Sequence, residues 1–129
     1  MLNDTLATAL SRIRNAEKIG RKECMVMPAS KVIIAALGIM NAHRYIGSAE
    51  LAKEGRGGAL RVNLLGAINK CGVVKPRFAV GMADYEKFEK RYLPAKRVGI
   101  LIVSTPSGMM THEEAKKQNQ GGRLIAYCY

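Results

Sequence analysis

The stretch Ser104-Thr105-Pro106-Ser107-Gly108-Met109-Met110-Thr111-His112-Glu113-Glu114-Ala115-Lys116-Lys117 decides how the second half of the chain is read. It sets Ser104, Thr105 and Ser107 close together, then a glycine, two methionines and a helix start. Hydroxyls in that setting suit a phosphate cradle, a nucleophile's home, or a surface that reads another molecule. Thr111-His112-Glu113-Glu114 fits a capping box, in which Thr111 accepts from the N–H of Glu114 and the Glu114 side chain reaches back. Thr111 and Glu114 are therefore structural, and His112 falls in an exposed part of the capping turn.

The phosphate cradle is disfavoured. A helix N-terminus attracts anions, but Glu113 and Glu114 already occupy the first turn, and the order G-x-x-x-x-G-K-[ST] is missing. Catalysis is disfavoured as well. A serine or threonine nucleophile needs a base within reach and a group to orient it, and neither G-x-S-x-G nor S-x-x-K is present. Small neutral hydroxyls at the end of a rigid strand can instead enter a shallow groove. There they hydrogen-bond to base edges and 2′-hydroxyls, as wide RNA minor grooves invite. By the residues alone, that surface and a plain solvated loop both stay open.

Working outward, Val98 to Val103 is a near-continuous apolar run, predicting a central strand buried on both faces. Lys116 and Lys117 suit the C-terminal end of the short helix, and Gly121-Gly122 leads into a last strand from Arg123 to Tyr129. Upstream, Tyr85, Phe88 and Tyr92 line one face of a short helix stopped by Pro94, a spacing that favours core over base-stacking platforms. A strand is predicted at 77–81, and Asn69 to Pro76 reads as a seam between halves.

The first half opens with an amphipathic helix over 3–18. Leu6, Leu10 and Ile13 form its stripe, and Asn3 or Asp4 its cap; Arg12 and Asn15 fall away from the stripe and Arg14 on its flank. A strand at 23–27 precedes Pro28, and a second helix starts near Ser30 with Ile33, Leu37 and Met40 inward and Gly47 beyond its end. Segments 45–52 and 59–65 flank the glycines of 54–58 as a hairpin. Its returning strand alternates Leu60, Val62 and Leu64 with Arg61 and Asn63. The fold class is α/β (α+β), with subdomains 1–68 and 69–129 sharing an interface, since each alone would be marginal.

Composition narrows the partner. The 129 residues carry 21 Lys and Arg against 10 Asp and Glu, a net charge of +11. The excess is spread over both halves, which is the footprint of a polyanion binder, although a basic pI alone does not decide it. No run of 18 apolar residues predicts a membrane span, and the N-terminal segment lacks a signal-peptide pattern. Cys24, Cys71 and Cys128 are too scattered for a zinc site and read as reduced thiols of an intracellular protein.

With those residues in view, Gly99 to Lys116 resembles the signature of the small-subunit ribosomal protein eight family: glycine, aliphatic strand, Ser-Thr, two variable residues, glycine, two aliphatics, then Ala-basic. Asp4-Thr-Leu-Ala, Ser11-Arg-Ile-Arg-Asn-Ala16, Pro28-Ala-Ser-Lys31 and Gly121-Gly-Arg-Leu-Ile-Ala-Tyr127 extend the likeness over the chain. Lys75-Pro-Arg-Phe78 and Tyr85 to Pro94 are similar to archaeal and eukaryotic members. The resemblance implies a cytoplasmic, non-enzymatic protein of the small subunit, without a cofactor, that binds the central domain of the rRNA and helps form the platform beside neighbouring ribosomal proteins. A regulator of a messenger RNA that mimics the rRNA site is the alternative. Implied RNA-binding residues are Arg12, Arg14, Asn15, Ser30, Lys31, Ser104, Thr105, Ser107, Gly108, Gly121, Gly122 and Arg123. Pro106 departs from the bacterial pattern, which carries a third hydroxyl there, so whether Ser107 replaces it stays open.

Overall fold

Burial of one stripe explains the first element. Helix α1 (Thr5–Lys18) buries Leu6, Ala9, Leu10, Ile13 and Ala16, leaving Arg12, Arg14 and Asn15 outside. The computed structural model describes residues 5–27, 30–52, 58–75, 77–95 and 98–129, so the expected caps Asn3 and Asp4 lie outside the described residues. The helix ends in a Schellman motif: the Gly20 N–H, at φ +79°, donates to Glu17 O and the Arg21 N–H to Ala16 O.

Strand β1 (Glu23–Val26) follows, then α2 (Lys31–Ala42), whose start is held by Ser30 accepting from the Ile33 N–H at 3.3 Å. The end of α2 differs from expectation. The left-handed position falls on Arg44 (φ +62°), three residues before Gly47; Arg44 donates to Asn41 O and Tyr45 to Met40 O. A side chain in that conformation costs roughly 1–2 kcal/mol. Strands β2 (Ile46–Ala52) and β3 (Ala59–Leu64) complete an antiparallel sheet of order β1-β3-β2. Leu60, Val62 and Leu64 are buried and Arg61 is exposed, as the alternation required. The hairpin glycines Gly55 and Gly57 lie outside the described residues.

The chain divides into two compact units, Met1–Cys71 and Gly72–Tyr129. The second holds β4 (Cys71–Val73) from Gly72 onward, β5 (Ala79–Val80), α3 (Tyr85–Tyr92), β6 (Ile100–Thr105), β7 (Gly108–Thr111), α4 (His112–Lys117) and β8 (Gly122–Cys128). Its sheet runs β4-β8-β6-β7, with β5 also paired to β8. Strand β4 stands where only a seam was expected. It is short and has Gly72 at its middle, where a Cβ would meet the Tyr127 hydroxyl at 3.0 Å. Strand β5 is shorter than the predicted 77–81, because a single 3₁₀ turn at Met82–Asp84 follows at once.

Strand β6 lies between β8 and β7, and Ile100, Leu101, Ile102 and Val103 are all buried, as an apolar run in a central strand demands. Alternation then sorts the faces. Leu101 and Val103 join Val80, Tyr85, Phe88, Met110, Ala115 and Leu124 in one core cluster, with α3 and α4 on that side. Ser104 therefore points from the opposite face.

Candidate RNA-binding surface

Three constraints shape the hydroxyl loop. Proline holds φ near −65°, so Pro106 excludes the primed turns that need positive φ at that position. Gly108, at φ +115°, takes the backbone turn that a side chain resists. The third constraint is Thr105, which is 8% exposed. Its hydroxyl donates to Gly108 O at 2.8 Å and accepts from the Ser107 N–H at 3.2 Å. This side-chain turn uses the threonine oxygen to hold the loop rather than presenting it to solvent.

Ser104 is the exposed hydroxyl of the strand end. In register it stands opposite Arg123 on β8 and Met109 on β7, while Arg123 stands opposite Ala79 on β5. Directly opposed residues share a face, so the Ser104 hydroxyl and the exposed Arg123 guanidinium stem form one rung. Ser107 is exposed and accepts from Gln120 Nε2 at 2.8 Å, which leaves its own proton available.

The glycine pair sets how closely the chain approaches this rung. A Cβ on Gly122 would meet Ser104 O at 2.1 Å, and one on Gly121 would meet Val80 O at 2.5 Å. Neither glycine has a positive φ; each is required by backbone contact. Beyond the rung, β8 bulges at Ile125 opposite the Ile102/Val103 step, and the Ile125 carbonyl accepts from the Val74 N–H.

The far end of the loop is anchored by α4. Thr111 accepts from the Glu114 N–H at 3.3 Å, and its hydroxyl also lies 3.3 Å from the Glu114 carboxylate, to which it donates. His112 is buried at 2% exposure, contrary to the exposed position expected for the capping turn. Its Nδ1 accepts from the Leu101 N–H at 3.1 Å, and Nε2 faces Glu89 at 3.8 Å. Burial lowers the imidazole pKa from its ordinary value; Glu89 opposes this and Lys116 adds to it. Lys116 is ion-paired with Glu89. His112, Glu89 and Lys116 thus tie α4 to α3 and to the base of β6. Among the described residues the partners of the His112 ring are the Leu101 N–H and Glu89, with no serine or threonine hydroxyl among them.

Sequence reasoning missed Gln120, which fastens the end of the α4 turn to Ser107 and whose backbone carbonyl accepts from the buried Tyr85 hydroxyl at 2.9 Å. Only its position beside Gly121-Gly122 hinted at a role. Asn119, at φ +55°, supplies the left-handed cap before it, donating to Lys116 O.

The first unit carries the other predicted residues, in three places. Arg12 and Asn15 line a groove of about 490 Å³ between α1 and β1, with Arg21, Glu23 and the apolar Ile19 and Met25. Arg14 lies elsewhere on α1, near the buried Cys71. Burial pushes that thiol up to about 11; Arg14 opposes the shift and Glu17 adds to it. Ser30 spends its oxygen on the α2 cap, next to an exposed Lys31. Among the described residues no three His, Cys, Asp or Glu side chains form a metal cluster.

The fold is that of a basic α+β protein, with an exposed hydroxyl on a braced strand end beside an arginine. The chain matches the family model described as Ribosomal protein S8 over residues 4–129, nearly its whole length, and it belongs to that family. It is accordingly a small-subunit ribosomal protein that binds rRNA, in a structural rather than enzymatic family. No described helix is long and apolar enough to cross a membrane.

Proposed function

We propose that this protein is a primary binder of the central domain of small-subunit rRNA and helps shape the platform, on cytoplasmic ribosomes and beside neighbouring small-subunit proteins. Lys75 to Phe78 and Tyr85 to Pro94 favour the archaeal and eukaryotic type. One observation carries the reading: Ser104 is exposed beside Arg123 at the foot of a loop that the Thr105 hydroxyl and Gln120 hold in place. A neutral hydroxyl beside a cation can discriminate in a shallow groove while the cation meets phosphate.

In this reading Ser104 and the Ser107 proton contact RNA directly, and Gly108, Gly121 and Gly122 let the backbone come close. Thr105 serves the contact from beneath by fixing the turn. Arg123, Arg12, Arg14 and Lys31 meet phosphates, Asn15 offers an amide in the α1–β1 groove, and Ser30 sets the start of α2 that carries Lys31.

The test is a salt titration of binding to a central-domain rRNA fragment, with a scrambled duplex alongside. Neutralising about five phosphates gives a log–log slope of roughly −4 to −5, taking the duplex-DNA coefficient. A specific advantage of about 10³ that survives rising salt is expected, in the range of site-specific complexes. Parallel curves that collapse together would show only a basic protein and end the assignment.

A further inference from the structure

The second unit carries another pair of cations, on the layer away from the Ser104–Arg123 rung. Helix α3 packs Tyr85 and Phe88 into the core on the face of the sheet formed by Leu101, Val103 and Leu124. Ser104 and Arg123 stand on the opposite face of β6 and β8. The outer side of α3 is therefore separated from the rung by a helix and a sheet, too thick a layer for one short RNA contact to include both.

On that outer side Lys87 and Arg91 are exposed, four residues apart and so on one helical face. Lys87 Nζ lies 5.2 Å from the centroid of the Phe88 ring, and the Arg91 guanidinium lies 5.5 Å from Phe78 and 5.7 Å from Phe88. The two rings are themselves in contact, with centroids 5.2 Å apart. A cation held against an aromatic face is preorganised and keeps its outward N–H groups for a ligand.

The nearby acids are engaged elsewhere. Asp84 accepts from the Gly81 N–H, Glu86 faces Lys90 at 3.8 Å, and Glu89 takes Lys116. Among the described residues neither Lys87 nor Arg91 has an acidic partner. The rise along α3 between them, about 6 Å, is on the order of the separation of successive phosphates along one strand.

We propose that Lys87 and Arg91, braced on Phe78 and Phe88, form a second RNA contact that grips the phosphate backbone of an rRNA segment other than the one read by the hydroxyl loop. The protein then joins two segments of the same RNA. This rests on the rRNA-binding reading and adds a second site to it. Phosphate suits the pair because a stacked guanidinium presents parallel donors to an oxyanion and the lysine adds a point charge.

The experiment compares the wild type with the double variant Lys87→Gln/Arg91→Gln on a minimal central-domain fragment and on whole small-subunit rRNA. The double variant is expected to bind the fragment within about twofold of wild type. On whole rRNA its log–log salt slope becomes shallower by about 1.8, for two phosphates lost, with affinity falling about tenfold or more. The charge-conserving Lys87→Arg/Arg91→Lys variant keeps most of the slope, which separates charge from folding. An unchanged slope on whole rRNA overturns the proposal and leaves the pair to an acidic protein neighbour. Equal loss on both RNAs also overturns it, because the pair would then belong to the first site or to the fold. If the wild type does not prefer the fragment over a scrambled duplex, the underlying rRNA reading fails, and this proposal with it.

Discussion

Gly122→Ala is the most direct test of how the hydroxyl rung is built. The added Cβ would stand 2.1 Å from Ser104 O and 3.1 Å from Val103 Cγ1. Val103 can shift its methyl, but the carbonyl belongs to the ladder and has no rotamer to adopt. Real Cβ contacts essentially never fall under 3.0 Å, so β6 and β8 must part locally by roughly 1 Å. A parting of that size stretches an ordinary ladder bond of about 2.9 Å past the length at which it counts as one. Losing one or two such bonds removes about 0.5–1.5 kcal/mol each. Strain and displaced packing add about 1–3 kcal/mol, for an expected total of about 1.5–6 kcal/mol. That is a large share of the roughly 5–15 kcal/mol available to a domain. Urea denaturation with linear extrapolation measures it, and amide spectra should show shifts centred on Ser104, Thr105 and Arg123. Gly108→Ala is the control: its Cβ meets open space, and only φ +115° resists, so the loss there is strain alone. A stability change below about 0.5 kcal/mol for Gly122→Ala, the range of featureless surface substitutions, would refute the close-approach argument.

Ser104→Ala should weaken binding to the central-domain fragment about three- to tenfold, one neutral hydrogen bond's worth, with the salt slope and scrambled-duplex binding unchanged. Equal loss on both RNAs would remove Ser104 from the reading surface. Thr105→Val should cost about 1–2 kcal/mol of stability by deleting two turn bonds, whereas Thr105→Ser keeps most of it; a melt that fails to separate them would show that the hydroxyl does not brace the loop. Arg14→Ala should weaken all RNA binding and make the salt slope shallower by about 0.9, and an unchanged slope would exclude a phosphate contact. For His112 the folded pKa is lowered by burial, so below the ordinary value of 6.5 the unfolded chain takes a proton that the folded chain refuses. Stability therefore falls as pH drops below 6.5 and levels off beneath the folded pKa. His112→Gln should flatten that slope in denaturation curves taken between pH 7 and 5, and an identical slope would place the sensitivity elsewhere.

What could be read from the sequence follows from how local the cause was. The α1 stripe, the helix start at Ser30 and the buried stretch Ile100 to Val103 each depend on residues within a few positions, and each formed as expected. Two local readings held only in part: Thr111 caps the Glu114 N–H but the Glu114 carboxylate meets the Thr111 hydroxyl, and Val98, expected in the buried strand, is exposed ahead of Gly99 at φ +88°. The failures had causes outside the local window. Arg44 closes α2 although no propensity favours arginine at positive φ; the two backbone bonds behind it and the entry into β2 decide the position. His112 looked exposed by its place in a capping turn, yet it caps the free N–H of Leu101 from a neighbouring strand. Strand β4 exists because β8 offers it an edge, and its own three residues carry no period. In the loop, the sequence showed which hydroxyls were present but not which were spent. Only the contacts among Thr105, Gly108 and Ser107 separate the bracing hydroxyl from the exposed one.

On the proposed reading, that separation limits how discrimination of RNA by this loop can arise. A specific advantage of 10³ is about 4 kcal/mol, while one neutral hydrogen bond contributes about 1 kcal/mol net. Ser104 alone therefore falls short, and about four uncharged contacts must act together. The Ser107 proton and backbone groups at Gly108, Gly121 and Gly122 are the neutral groups at hand near that rung. Several weak contacts add only if their geometry is fixed beforehand, because ordering a floppy loop on binding would consume about 1–2 kcal/mol per residue. The turn held by Thr105, the fixed φ of Pro106, the Gln120–Ser107 bond and the glycines pressed against Ser104 O and Val80 O each remove freedom before RNA arrives. On the proposed reading the stiffness of the loop is itself a requirement of recognition: loosening it without touching any group proposed to face RNA should erode specificity while leaving charge-driven affinity in place.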